Sequence, residues 1–584
     1  MYTQRTSLVV LLLFSITLFA QKENLGTEVV NVVKPYTATI SDAFKVKETP
    51  SLDDDDNAPK QQIQYNIFSF PVASTFTPAK GKAASVDKTK KEKLYNNYAT
   101  LGFGNYGNAI GELFVTENFN RNEYVGAMLR HHSSQGGIKG VDLDDKFYNT
   151  SLDLTYGNHN KDLSWNADAG YQHQIYNWYG LPELYRATFS PEDYQTFIGG
   201  INEQQTYHHF YAGARLELND SFFHGATLKY QRFWDAFNSA ENRLVLKPTF
   251  EVEISETKVK TEAIVDYLSG TFARDYEGDL TGLDYGFTNL GIHPSFVMNK
   301  EDWTINVGLA AFYSIASEGD NKFLLYPKIN ASYKLVGDLM IFYAGAEGNL
   351  RQNSFRDFTN ANPFVSPTFF MAPTDQQYDI FGGLKGKLAS NVSYNVRASY
   401  MNERGRALFR ANPLDQNFVP TERPGYALGN SFDVVYDDVK TLSIGGEVKA
   451  DINKDFSIGF NGTFNHFSTD NQAEAWNLPA IELGGSFDVN ITSKWFAGAK
   501  VFFVGERKDQ LIAPDVIDPA FYSFTTVSLD SFFDANAHLG YKHNERLTGF
   551  LRLNNLANQN YQRWLHYPVQ GFQVLLGANY KFDF

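Results

Sequence analysis

Residues 571–584 read GFQVLLGANYKFDF, and every second position from Phe572 is apolar: Phe572, Val574, Leu576, Ala578, Tyr580, Phe582 and Phe584 share one face. The intervening positions carry Gln573, Gly577, Asn579, Lys581 and Asp583, with Leu575 as the apolar exception. Successive strand side chains point to opposite faces, so the alternation predicts a β-strand with one apolar and one polar side. A soluble sandwich strand would show the same pattern. The fold is decided by whether the rest of the chain repeats it.

From about residue 94 onward it does. Leu442, Ile444, Gly446, Val448, Ala450 and Ile452 alternate with Ser443, Gly445, Glu447, Lys449 and Asp451. After the three residues NKD, Phe456, Ile458, Phe460 and Phe464 resume the pattern. Tyr378, Ile380, Leu384 and Leu388 face Val392, Tyr394, Val396, Ala398 and Tyr400 across ASN. The connections alternate as well. Short polar turns (NKD, ASN, VGD at 336–338, KHNE at 542–545) take turns with long segments such as 178–200, 351–375 and 506–526.

Strands with one apolar face, joined by alternating short and long connections, are what an outer-membrane barrel requires. Lipid meets the outward face, a polar lumen meets the inward one, and closure leaves no backbone group unpaired in the bilayer. Composition agrees. The 584 residues include 34 Tyr and 49 Phe, while a mean hydropathy of −0.35 excludes a bundle of membrane helices. A soluble propeller would show a blade-scale repeat, and none is present. Trp165, Trp303, Trp495, Tyr400 and Tyr580 lie near strand ends, as interfacial girdles require. The expected fold is therefore an all-β transmembrane antiparallel barrel of about 22 strands, the first near 94–104. Its short turns would be periplasmic and its long loops extracellular, with the terminal aromatic Phe584 at the inner interface.

The amino terminus carries Arg5, an apolar stretch from Leu8 to Phe19, and Ala20–Gln21. This is the pattern of a signal peptide cleaved after residue 20. Three parts are expected: a signal peptide (1–20), a periplasmic segment (21–93) and the barrel (94–584). Cysteine is absent, which removes disulfides, thiolate metal sites and a lipoprotein anchor. A net charge of −15 argues against nucleic acid as a partner.

The stretch LRLNNLANQNYQRWLHYPVQGFQVLLGANYKFDF resembles the carboxyl end of TonB-dependent outer-membrane receptors. Asn555, Leu556, Asn558 and Tyr561 match that family's N-L-x-N-x-x-Y loop, and Gly577, Tyr580 and Phe582 its closing G-x-x-Y-x-F strand. The hairpin region at 432–464 is similar to the family's G-x-E hairpin. The resemblance implies a 22-strand barrel in the outer membrane of a Gram-negative-type bacterium, inserted by the barrel-assembly machinery that reads Tyr580, Phe582 and Phe584. It implies a plug domain and coupling to TonB too. Here only about 70 residues precede the first strand, roughly half a plug, with no plug motif in them. Engagement of TonB stays open. The lumen must be filled by the amino-terminal segment, by infolded loops or by a second protein. Tyr65, Ile67, Phe68, Phe70 and Phe76 make the segment one candidate; Asp53–Asp56 lack the spacing of a calcium loop and read as a solvated linker.

No chemistry-bearing motif emerges. G-x-S-x-G, H-E-x-x-H and G-x-x-x-x-G-K are absent, so an enzyme is not expected, and no cofactor or metal is assigned. Alternation turns His132 and His209 inward but His131, His173 and His208 outward, so they do not converge on a metal. Ligand or partner contact falls to loop residues: the aromatics Trp178, Tyr179, Tyr185, Phe369, Phe370, Phe521 and Tyr522, and Arg404 and Arg406, with Arg351, Arg356 and Arg410 near them. The same aromatics are candidates for capping the lumen. Two functions follow: ligand capture and transport across the outer membrane, or a non-transporting barrel subunit of a larger outer-membrane complex with a partner in its lumen or on its surface.

Overall fold

A computed structural model describes residues 93–219, 221–254, 257–276, 281–414, 424–514 and 522–584 of the chain. The expected signal peptide, the aspartate run, the aromatic segment near residue 70 and Phe521 lie outside these residues. The rest forms one 22-stranded antiparallel sheet closed on itself. The first strand, Asn97–Gly104, pairs with the last, Gln573–Phe582, with Leu101 opposite Ala578 and Ala99 opposite Tyr580. Closure abolishes both sheet edges, so every strand is paired on two sides.

The strand period sets the two faces. Leu101 is 61% exposed, and Leu152, Leu309, Ile380, Ile444 and Leu576 are likewise exposed on the outside of the wall. A ring of large aliphatic side chains left out of any core is stable only against lipid. Trp303 and Trp495 each open a strand directly after a short turn, where an interfacial ring sits well, whereas Tyr400 lies well inside the strand Val392–Ala411. The short turns fall where the sequence places them, with Asn453 opposite Phe456, Ala389 opposite Val392 and Val336 opposite Met340.

Among the described residues, three short α-helices lie in the long loops, each where local sequence favours it. Helices α1 (Glu183–Thr188) and α2 (Pro191–Gly199) occupy the segment after Trp178. Ser190 Oγ accepts the Asp193 N–H, and Pro191 stands in the first turn of α2, where its missing N–H costs nothing. Helix α3 (Phe355–Ala361) is capped in the same way, Ser354 Oγ accepting the Asp357 N–H. A separate hairpin, Arg507–Pro514 with Tyr522–Leu529, stands apart from the barrel sheet.

Candidate functional site: a lumen closed by loops with a chamber beside the closure

Helix α3 and its flanks, residues 352–373, cross the bore. Asp357 meets Arg243 on the eighth strand, Ala240–Ile254, at 3.5 Å, while Phe358 packs against Phe409 on the fifteenth, Val392–Ala411. The segment joins the thirteenth and fourteenth strands, Met340–Arg351 and Thr374–Ala389, so Phe409 stands on a neighbouring strand, whereas Arg356 and Asn360 line a cavity with Glu112 and Arg130 of the second and third strands, across the ring. Its anchor is Phe355, with no exposed surface, set edge-on against Phe233 (4.9 Å) and Phe272 (5.1 Å) and near Tyr207. Edge-to-face geometry adds to the area buried by such rings. Phe369 closes on Phe272 at 4.7 Å, and Phe364 stacks on Tyr567 at 3.7 Å.

A carboxylate holds the start of the helix. Glu241 is 3% exposed and accepts the Phe355 N–H (2.7 Å) and the Tyr285 hydroxyl (3.0 Å). Arg243 is bound to Asp266 at 2.7 Å and extends to Asp357, so the helix is tied to the wall by charge as well as by packing. Other loops lock onto the first. Trp178 Nε1 donates to the Phe364 carbonyl, Asn430 Nδ2 to the Trp178 carbonyl, and the Tyr567 hydroxyl to the Asn430 carbonyl. His566, in the loop before the last strand, has a buried Nε2 without a partner among the described residues, and burial pulls its imidazole down to about 4.

Beside this closure run two chambers. The outer one, of about 630 Å³, lies among loops and is lined by Lys146, Tyr179, Phe364, Tyr561, Arg563 and Trp564, among others. The inner one, of about 610 Å³, lies between α3 and the wall. They share Asn149, Gln172, Asn360, Asn554 and Gln573, so they adjoin along one side of the barrel. In the inner chamber Arg130 is paired with Asp153 (2.7 Å), whose second oxygen accepts the Tyr211 hydroxyl (2.6 Å), and Glu112 stands opposite Arg130 across the strand pair. Arg356, from α3, and Arg552, from the wall, face the same space with no ion pair among the described residues. Arg356 Nε is buried without a hydrogen-bond partner, and burial lowers its guanidinium from the usual value. Among the described residues no group of three His, Asp or Glu side chains converges as metal ligands would. His132 and His209 do face inward, and the outward row runs through His131, His173 and His208 by cross-strand register.

The loop aromatics divide. Trp178, Tyr185 and Phe369 are buried, and burial raises the Tyr179 phenol; these side chains touch other loops. Phe370, at 65% exposure, and Tyr522 face outward. Arg404 is exposed, whereas Arg406 is held by Glu403 at 2.8 Å and donates to Thr441 Oγ1. Between the two, Gly405 takes a φ of +59° at a break in register, a conformation suited to glycine. Arg351 and Arg410 are likewise paired, with Glu403 and Asp433. At the carboxyl end Tyr580 and Phe584 lie outward in a chain of aromatic contacts through Phe582. Sequence reasoning did not find Glu241 or Arg552. Each is one polar residue on an alternating strand, without a motif.

No family model matches the chain, and no curated protein does. Solved structures do match. The pyoverdine receptor FpvA of Pseudomonas aeruginosa PAO1, bound to pyoverdine, aligns over 85% of this chain and 80% of its own at TM-score 0.60 and 12% identity. The ferric-catecholate import receptor Fiu of E. coli K12 aligns over 85% and 83%, at 0.60 and 12%. The FrpB iron transporter of Neisseria meningitidis aligns over 84% and 83%, at 0.61 and 11%. The fold is that of a TonB-dependent receptor barrel. At such identity the likeness speaks to the TonB-dependent-type barrel and not to its cargo. The similar proteins are receptors and transporters rather than enzymes.

Proposed function

We propose that the chain is an outer-membrane barrel that captures a ligand at its extracellular loops and passes it through a lumen gated by residues 352–373. The observation that carries this reading is the pair of adjoining chambers beside a closure made of the chain's own loops. A ligand entering among Tyr179, Phe364 and Arg563 would reach the inner chamber by displacing part of α3, the element hung on Glu241 and Phe355. In this reading lipid surrounds the exposed aliphatic ring, the barrel-assembly machinery reads the terminal aromatics through Phe584, and TonB is a candidate source of the force that moves the closure.

The depth of the aromatic cluster around Phe355 favours a second reading, a barrel sealed for good that serves as a subunit of a larger outer-membrane assembly. Phe370, Tyr522 and Phe524, exposed on the loops, would then meet a partner protein. Planar-bilayer conductance separates the two. Transport predicts little current in the resting barrel and a large rise when residues 355–370 are deleted, together with ligand-dependent flux in the intact chain. A barrel whose deletion conducts, but which passes no solute in cells or vesicles, would favour the subunit.

A further inference from the structure

The inner chamber holds more positive charge than its own carboxylates answer. Asp153 is taken by Arg130 and Tyr211, and Glu112 stands opposite Arg130. Among the described residues Arg356 and Arg552 are left over, in a chain whose net charge is −15. Several other arginines do find carboxylates: Arg243 with Asp266, Arg351 and Arg406 with Glu403, and Arg397 with Asp379. Arg356 is also the sole arginine of α3, and the helix carries it to the wall rather than to the outside. A buried guanidinium nitrogen without a partner is a donor waiting for an acceptor, since leaving it unpaired is costly. Arg552 lies over the ring of Phe550 at 4.7 Å, which leaves its planar fork free to turn toward the chamber.

We infer that the inner chamber is a binding site for a small oxyanion, held between the Arg356 guanidinium on α3 and the Arg552 guanidinium on the wall. Two guanidinium forks recognise phosphate and carboxylate oxygens equally well by geometry, so the shared chemistry is a compact, multiply charged oxyanion. Neutral donors on the same walls, Asn149 and Gln172, supply further hydrogen bonds. The volume of about 610 Å³ leaves room for such an oxyanion either alone or as the charged part of a larger solute. This assignment rests on the ligand-capture reading for its purpose but not for its test, which needs no transport.

The test is isothermal titration of inorganic pyrophosphate, and separately of malonate, into the detergent-solubilised full chain at low salt, with choline chloride as the cation control. Saturable binding of at least one anion is expected, weakened about tenfold by R356Q and about tenfold by R552Q, the loss of one charge-assisted pair each. Preference for pyrophosphate would assign phosphate, and for malonate, carboxylate. R121Q, on the exposed short turn between the second and third strands, should bind as the parent does. Heat-modifiable migration on gels verifies that each variant is a folded barrel. Absence of saturable binding by either anion, or binding unaffected by R356Q and R552Q, or weakened as much by R121Q as by either, overturns the assignment. If the intact chain binds anion yet never passes solute, transport fails and this site stands; flux without anion binding has the opposite meaning.

Discussion

The wall and the closure inside it are built by opposite rules. Along the wall, each side chain's surroundings follow from its parity: Leu101 is exposed on the outer face, and Thr100, one residue away, is buried toward the lumen. In the closure, neighbours in sequence share nothing regular. Phe355 is wholly buried, Arg356 reaches a chamber, Asp357 meets an arginine, and Phe358 packs on Phe409 of a neighbouring strand. A wall residue is held by many equivalent contacts, whereas the closure depends on a few unlike ones. Single substitutions should therefore open the closure without unfolding the wall.

The largest expected effect is F355A. Removing a fully buried ring costs about 3–5 kcal/mol, here drawn from the docking of one loop rather than from the whole barrel. Bilayer conductance should rise and protease should cut within 352–373 while the barrel's heat-modifiable migration is kept. Loss of the folded barrel instead would show that wall and closure form one cooperative unit, and would break the contrast.

The complementary substitution is L101R, mid-strand on the lipid face, expected to cost about 2–4 kcal/mol of unfolding free energy in vesicles. Conductance should stay at the parent level. A leak in L101R would mean that the closure feels the wall after all.

A smaller effect is expected of E241Q, which keeps the shape but weakens the acceptor of the Phe355 N–H and Tyr285 hydroxyl, at about 1–2 kcal/mol. Hydrogen exchange at the start of α3 should accelerate more than anywhere else. Exchange rates equal to the parent's would remove Glu241 from the account of the gate.

Last comes pH. The His566 imidazole is held neutral in the folded loop, at about 4 against an ordinary 6.5. Its folded value is depressed, so protonation opposes folding: docking of residues 555–572 is at full strength above 6.5 and weakens as pH falls toward 4. Limited proteolysis of that loop from pH 7 to pH 4 reads this, and H566Q should flatten the profile. An unchanged profile would assign the acid sensitivity to other groups.

Much of this was legible in advance, for a reason visible in particular residues. The alternation in 571–584 places Leu576, Ala578 and Tyr580 outside, where they stand, and NKD, ASN and VGD turn where they should. Trp178 and Phe369 show the limit. As loop aromatics they suited ligand contact and capping alike, and nothing local distinguishes a ring turned outward, such as Phe370, from its buried neighbour Phe369.

Two-residue periodicity is a local property, and the sequence by itself determined what depends on it: a barrel, its apolar outer face, its short turns and an approximate strand count. The tertiary structure alone decided which loop enters the bore and what it meets there. Those contacts join Phe355 to Glu241, 114 residues apart, Trp178 to Phe364 across 186, and Tyr179 to Pro568 across 389. A loop's docking is chosen by the shape and charge of a cavity that exists only once the sheet has closed, so no run of neighbouring residues records it.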